Sequence, residues 1–157
     1  MIDQHTFRSV LGRFATGVTV ITAIGSSGED HGMTASAFSS VSLVPPLILA
    51  CVAESADMVG ILATAEHFGI NILSEEQEAL SRRFAEDEED RFDGVGYTRG
   101  VTGVALLDNA IAHLECRIVD RHTAGDHTIV IGEVIEASAA NTRPLIYYRG
   151  GYARLER

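Results

Sequence analysis

The chain has 157 residues, of which 46 % are apolar and 22 % charged, a balance that fits one globular domain spanning residues 1–157 and excludes a disordered chain. A formal net charge of −10 argues against nucleic-acid or anionic-membrane partners, which need basic surface. The longest apolar run, Leu47 to Ala53, is too short to cross a bilayer, and Met1-Ile2-Asp3-Gln4-His5 has no basic-then-apolar leader pattern, so no membrane partner and a cytoplasmic location are expected.

The first predicted element is a helix. Phe7, Val10, Leu11 and Phe14 recur at helical spacing, Asp3 or Thr6 can cap it, and Gly17 suits a left-handed stop. The β-branched run Val18 to Thr22 predicts a strand, and Gly25 to Asp30 a turn. Gly32 to Leu43 reads as extended and rich in small hydroxyl residues, ending at Pro45-Pro46; Leu47 to Ala53 reads as a buried strand. A short helix near Met58 to Ala63 and a strand at Phe68 to Leu73 follow. Ser74-Glu75-Glu76-Gln77 has capping-box form and opens a helix to about Ala85 that buries Leu80 and Phe84. Arg91 to Gly103, with its glycines and scattered charge, reads as a long loop. Ile111 to Asp120 and His127 to Ala137 are strands joined through a turn at Arg121 to Asp126, and Pro144 to Leu155 is a last, aromatic strand. Strands and helices in this irregular order predict a mostly β fold, an antiparallel β-barrel with helical additions, rather than a doubly wound sheet.

Several chemistries are absent from the sequence. There is no G-x-G-x-x-G, Walker or G-x-S-x-G motif, and the histidines show no metal-ligand spacing, so no metal site is expected. Cys51 and Cys116 sit inside apolar segments without C-x-x-C spacing and read as buried free thiols. The acids at Glu75, Glu76, Glu78 and Glu86 to Asp90 read as a solvated helix face and loop.

Two segments remain that could hold a ligand. In Gly32 to Ser42, strand alternation places Thr34 and Ser36 on one face and Ala35, Ala37 and Ser39 on the other. Such a row of hydroxyls and free N–H groups suits a phosphate or the polar edge of a heteroaromatic ring, and suits a solvent-facing strand equally well. The second is Gly125-Asp126-His127-Thr128, where a histidine follows a tight turn at a strand mouth.

The segments Arg13 to Val20, Gly32 to Ser36, Phe38 to Leu43, Pro45-Pro46-Leu47, Asn71-Ile72-Leu73, Phe84-Ala85, Asp90-Arg91-Phe92, Leu114-Glu115-Cys116, Gly125 to Thr128, Gly132-Glu133-Val134 and Pro144 to Gly150 occur in one order across nearly the whole chain. In these segments the sequence resembles the flavin reductase family, the small NAD(P)H:flavin oxidoreductase components of two-component flavin monooxygenases. Two positions depart from the family pattern: Ala37 stands for Asn or Ser, and Val44 for Asp before the prolines.

The resemblance implies a split-barrel FMN-binding fold, usually a homodimer with flavin near the subunit interface. It implies reduction of free FAD or FMN by NADH, with NADPH as the alternative, and transfer of reduced flavin by diffusion to a partner monooxygenase. It places Met33, Thr34, Ala35 and Ser36 along the isoalloxazine and ribityl chain. Val52, Ala53 and Ser55 then lie nearer the phosphate, Phe84 and Ala85 over the far end of the flavin, and Tyr148 near the stacked rings. His127 would meet the nicotinamide nucleotide as the catalytic-site residue. Hydride passes directly between two stacked cofactors in such enzymes, which accords with the lack of an acid–base pair in the sequence. A non-catalytic flavin carrier or sensor on the same barrel is the alternative reading.

Overall fold

In a computed structural model, which describes residues 1–156, the chain opens with helix α1 (Gln4–Leu11), N-capped by the Asp3 carboxylate, which accepts from Thr6 N at 2.8 Å. Strands β1 (Thr16–Gly17), β2 (Thr19–Ile24), β3 (Asp30–Ala35), β4 (Phe38–Ser42) and β5 (Leu47–Ala53) follow, then α2 (Asp57–Thr64) and β6 (His67–Ile72). A 3₁₀ turn at Glu75–Gln77 leads into α3 (Glu78–Ala85). The second half contains β7 (Tyr97–Arg99), β8 (Ala105–Leu107), β9 (Ala112–Ala124), β10 (His127–Ala139), β11 (Ile146–Tyr148) and β12 (Gly151–Ala153).

Seven strands form one antiparallel sheet in the order β3-β2-β6-β9-β10-β5-β4. Its two end strands, β3 and β4, are consecutive in the chain and separated only by Ser36 and Ala37. The sheet curls so that its ends meet at this corner without a ladder between them, which makes a split barrel rather than a closed one. β1, β11 and β12 form a small outer sheet, and β7 pairs with β8.

Side-chain alternation explains why the sheet is covered on both faces. From β2, Ile21 and Ala23 point into the barrel interior with Ile48, Val52, Phe68 and Val130. Val18 and Val20 join a second cluster outside it, with Leu73, Phe84, Leu107 and Leu145. Each such side chain, fully buried, contributes roughly 1.5–3 kcal/mol. Asn71, fully buried on β6, donates to Val20 O at 3.0 Å and accepts from Leu107 N at 2.8 Å, so one amide fastens β8 to the sheet.

Several elements differ from their sequence reading. The first helix stops at Leu11 and Gly12 caps it in the right-handed region; Gly17 lies in β1. The segment 91–103 contains β7, held against β8. The turn between the long strands is only Gly125-Asp126, because β9 continues to Ala124. The final aromatic segment is a hairpin, not a strand: Arg149 and Gly150 both take positive φ (51° and 78°), the two-residue turn that suits the twist of paired strands. The capping box at Ser74 is present, with Gln77 Oε1 accepting from Ser74 N at 2.9 Å, but its first turn is 3₁₀.

Cys116 is fully buried and Cys51 half-buried, and both are free thiols. Burial pushes the Cys116 thiol up to about 12 from 9.0, with the Glu115 carboxylate beside it acting in the same direction. The folded state therefore holds this proton more tightly than the unfolded chain, so the associated stability is complete below about pH 9 and is lost as pH rises toward 12. Cys116 should resist alkylation in native protein at pH 8 and react once urea unfolds it, as followed by mass spectrometry; rapid native labelling of Cys116 would contradict its burial.

Candidate functional site

β3 is an end strand, so one of its backbone edges is unpaired by the sheet. That edge borders a cavity of about 930 Å³, large enough for a drug-sized or nucleotide ligand. Its walls come from three places: Asp30 to Thr34 on β3, Ser55 to Met58 at the start of α2, and Ala85 to Phe92 after α3. The Gly32 carbonyl faces the open edge, where Arg91 Nη1 donates to it at 2.9 Å. In an antiparallel strand the N–H of Gly32 shares that direction, and so do the N–H and C=O of Thr34.

The position of β3 is set from below by α3. Thr34 Oγ1 donates to Ser81 O at 2.6 Å, and Ser81 Oγ is 2.8 Å from Tyr152 Oη. The Phe84 ring lies under Gly32: a Cβ added there would sit 2.5 Å from Phe84 Cε1 and 3.3 Å from the Phe92 ring. Glycine is required here because the strand runs directly over an aromatic ring. At the far end of β3, Arg99 grips Asp30 through both carboxylate oxygens, at 2.5 and 2.7 Å.

The segment after α3 is fastened by two arginines. Arg83 donates to the carbonyls of Arg91 (2.6 Å), Asp90 (3.0 Å) and Asp93 (2.6 Å). Arg91 Nη1 reaches the Phe84 carbonyl at 3.4 Å as well as Gly32.

Met33, Thr34, Ser55 and Ala85 line the cavity together. Ala35 is buried in the sheet, and Ser36 is exposed at the corner with β4. Val52 points into the barrel core with no exposure, while Ala53 is half-buried on the same strand. Phe84 is likewise fully buried: it supports Gly32 from beneath instead of facing the cavity. Tyr148 lies on the small outer sheet, exposed and outside the cavity lining.

His127 opens β10 opposite Ala53 of β5, two residues before Ser55. Asp126 O accepts from Glu54 N at 2.9 Å, and Thr128 Oγ1 donates to Glu54 Oε1 at 2.5 Å, so the turn is sewn to the β5–α2 connection. His127 Nδ1 is 2.8 Å from Asp126 Oδ1. The hydrogen bond and charge of this ring hold the Asp126 carboxyl below its ordinary range. With Nδ1–H donating to Asp126, Nε2 is the ring nitrogen left for a ligand.

Sequence reasoning missed His31, Asp57, Arg91 and Phe92 as lining residues and read Asp87 to Glu89 as plain solvated loop. Asp90-Arg91-Phe92 was among the segments carrying the family resemblance, and that was the available signal. Among the described residues no cluster of His, Cys, Asp and Glu could hold a metal ion, and no helix is long and apolar enough to cross a membrane.

The open-edged strand and the cavity beside it, set on a split barrel, form one candidate ligand site, and comparison gives the family. Residues 11–156 match the model of the flavin reductase like domain, and the chain belongs to that family. It is 40 % identical to a flavin reductase (NADH) from Kitasatospora aureofaciens, over 98 % of this chain and 83 % of that protein. It is 43 % identical to a stachydrine N-demethylase reductase subunit from Rhizobium meliloti, over 97 % of this chain and 66 % of that protein. The chain thus spans less than two thirds of that relative, and about half (49 %) of another from the same organism. Among solved structures, the Streptomyces globisporus NADH:FAD oxidoreductase in complex with NAD and FAD fragments superposes with a TM-score of 0.94 at 42 % identity, covering 98 % of this chain and 93 % of that one.

Proposed function

We propose that this protein reduces free FMN or FAD with NADH and releases the reduced flavin to a partner monooxygenase by diffusion. The observation that carries this reading is the cavity along the open edge of β3, which Gly32, Met33 and Thr34 line together with Ser55 and Ala85. An isoalloxazine ring presents a polar edge of ring nitrogens and carbonyl oxygens, and a strand edge offers matching donors and acceptors at fixed spacing. Met33 supplies an apolar, polarisable surface. Once bound, the flavin supplies the redox chemistry itself, by accepting hydride at N5 from nicotinamide C4.

The chain's part is orientation. Asp126 fixes the tautomer and direction of His127, leaving Nε2 to position the nicotinamide nucleotide above the cavity. The backbone donors of β3 offset negative charge that grows on the flavin as it is reduced. The relatives point the same way: their names give NADH as reductant and a demethylase or monooxygenase as the enzyme served. Free thiols on both cysteines suit a reducing compartment, and the reading places the protein in the cytoplasm with the nicotinamide pool.

Mixing the protein with NADH should give no loss of nicotinamide absorbance until FMN or FAD is added, and then multiple turnovers. Flavin binding without NADH oxidation would identify a carrier instead.

The same reading includes a homodimer. None of the α1 residues is buried: Phe7, Val10 and Leu11 are each more than half exposed, and Phe14, Leu43 and Val44 are 77–89 % exposed. Apolar surface on this scale marks contact with another protein surface, and a second copy of the chain fits a self-complementary apolar face. Sedimentation should give a dimer that the double substitution Leu11→Glu and Phe14→Glu converts to monomer; a wild-type monomer at micromolar concentration would remove this part of the reading.

A further inference from the structure

Asp30 lines the cavity and is ion-paired from outside it. Its side chain is 13 % exposed. Arg99, on β7, takes both of its oxygens, with Nη1 donating to Oδ1 at 2.5 Å and Nη2 to Oδ2 at 2.7 Å. Tyr97 Oη donates to Oδ2 as well, at 3.3 Å. Arg99 is not part of the cavity lining: its side chain is 48 % exposed, lies 5.2 Å over the Tyr97 ring and also donates to Gly103 O at 3.2 Å. The carboxylate therefore borders the ligand space, while its counter-charge comes from a separate hairpin.

The pair matters because the ligand changes charge in the reaction. Hydride transfer moves two electrons and one proton from nicotinamide C4 to flavin N5. The nicotinamide ring leaves as a cation, and the reduced flavin ring holds one negative charge at neutral pH. A bare carboxylate in the wall favours the oxidised, uncharged ring, and a bare cation favours the reduced one. The closed pair does neither. A guanidinium fork on a carboxylate largely withdrawn from water holds that neutrality at a fixed geometry.

We infer that the Asp30–Arg99 pair sets the relative affinity of the cavity for oxidised and reduced flavin, and with it how readily the product leaves. Asp30 is the group beside the ligand, and Arg99 is a positioning residue that acts through it by cancelling its charge. The inference rests on the flavin reading above and adds two residues to it. It does not depend on the flavin phosphate, whose charge is the same in both redox states.

The test is the ratio of dissociation constants, reduced over oxidised flavin, measured for FMN and FAD by anaerobic equilibrium dialysis at pH 8. Arg99→Gln leaves the Asp30 carboxylate uncancelled and should raise the ratio about three- to tenfold, the scale of one unit charge several ångströms from the ring. Asp30→Asn leaves the Arg99 cation uncancelled and should lower the ratio, by a smaller factor because Arg99 is the more exposed partner. Opposite signs are the signature. Both substitutions break the same contact, so loosened structure alone would move the ratio in one direction. The double variant, Asp30→Asn with Arg99→Gln, should return close to wild type. Both single shifts should shrink in high salt.

Arg99→Lys keeps the charge without the fork and should leave the ratio unchanged, whatever happens to the two constants separately. Asp30→Asn carries the test if Arg99→Gln does not fold, because the amide oxygen still accepts from Arg99 and Tyr97. Shifts of the same sign in both single variants overturn the inference, as does an unchanged ratio in Asp30→Asn. So does an Arg99→Lys protein that shifts like Arg99→Gln. Wild-type protein that binds neither redox state of either flavin overturns the reductase reading and this inference with it.

Discussion

Replacing Phe84 by alanine is expected to cost about 3–5 kcal/mol of stability, the range for removing a large buried aromatic side chain, and to weaken flavin binding as a secondary effect. Phe84 has no exposure and stands at the centre of the second cluster, between β2, α3 and the segment after α3. Its ring packs edge-to-face on Phe92 at 5.0 Å, and Phe92 in turn on Tyr97 at 5.7 Å. Truncation opens a void directly under Gly32 and frees Phe92, which lines the cavity. The strand edge then loses the support that fixes its N–H groups. Urea unfolding should show the stability loss at an unchanged m-value, with Phe84→Leu losing less because it fills more of the space. A loss below about 1 kcal/mol, outside the range for such cavities, would show that the ring does not bear on β3.

His127→Ala should lower kcat/KM for NADH by about ten- to a hundredfold, the scale of one lost hydrogen bond to a charged group, and leave flavin affinity unchanged. The separation follows from placement. His127 sits on the β9–β10 hairpin and does not line the cavity, yet it faces the β5–α2 connection across a backbone pair with Ala53. Asp126→Asn keeps the side-chain shape and removes the charge that orients the ring, so its effect should be in the same direction and smaller. Stopped-flow reduction with saturating flavin reads both. Unchanged NADH kinetics in His127→Ala would take the histidine out of the site.

Elements with strong local signals were legible in the sequence. The β-branched run at β2 and the apolar run at β5 each specify one local conformation, and the structure has them close to where the pattern puts them. The elements missed or merged were those created by tertiary contact. β7 is three residues long among glycines, and it is a strand because β8 pairs with it and Arg99 holds Asp30. The hairpin β11–β12 depends on Arg149 taking a positive φ, which an arginine does not advertise. The apolar spacing on α1 announced a helix correctly and implied burial that the single chain does not provide.

The site was legible by half for the same reason. The hydroxyl-rich segment Gly32 to Leu43 suggested one ligand-binding strand, but it breaks at Ser36-Ala37 into β3 and β4; of its hydroxyls β3 carries only Thr34, which is spent on Ser81 O. Arg91 looks like one charge in a charged loop until folding sets it against the Gly32 carbonyl. Phe84 carried family likeness without its cause, which is the close passage of a glycine over its ring.

The corner at Ser36-Ala37 makes the barrel behave as an open ring clasp. The two ends of the seven-stranded strip are linked by chain through Ser36-Ala37, with no ladder to zip them shut. Widening the gap therefore breaks no strand-to-strand bonding, and the compliance of the whole barrel is gathered at one seam. One of the two strands that end at the seam, β3, also forms a wall of the cavity, so a change in the gap moves that wall, while β9 and β10 are tied to each other by a long ladder.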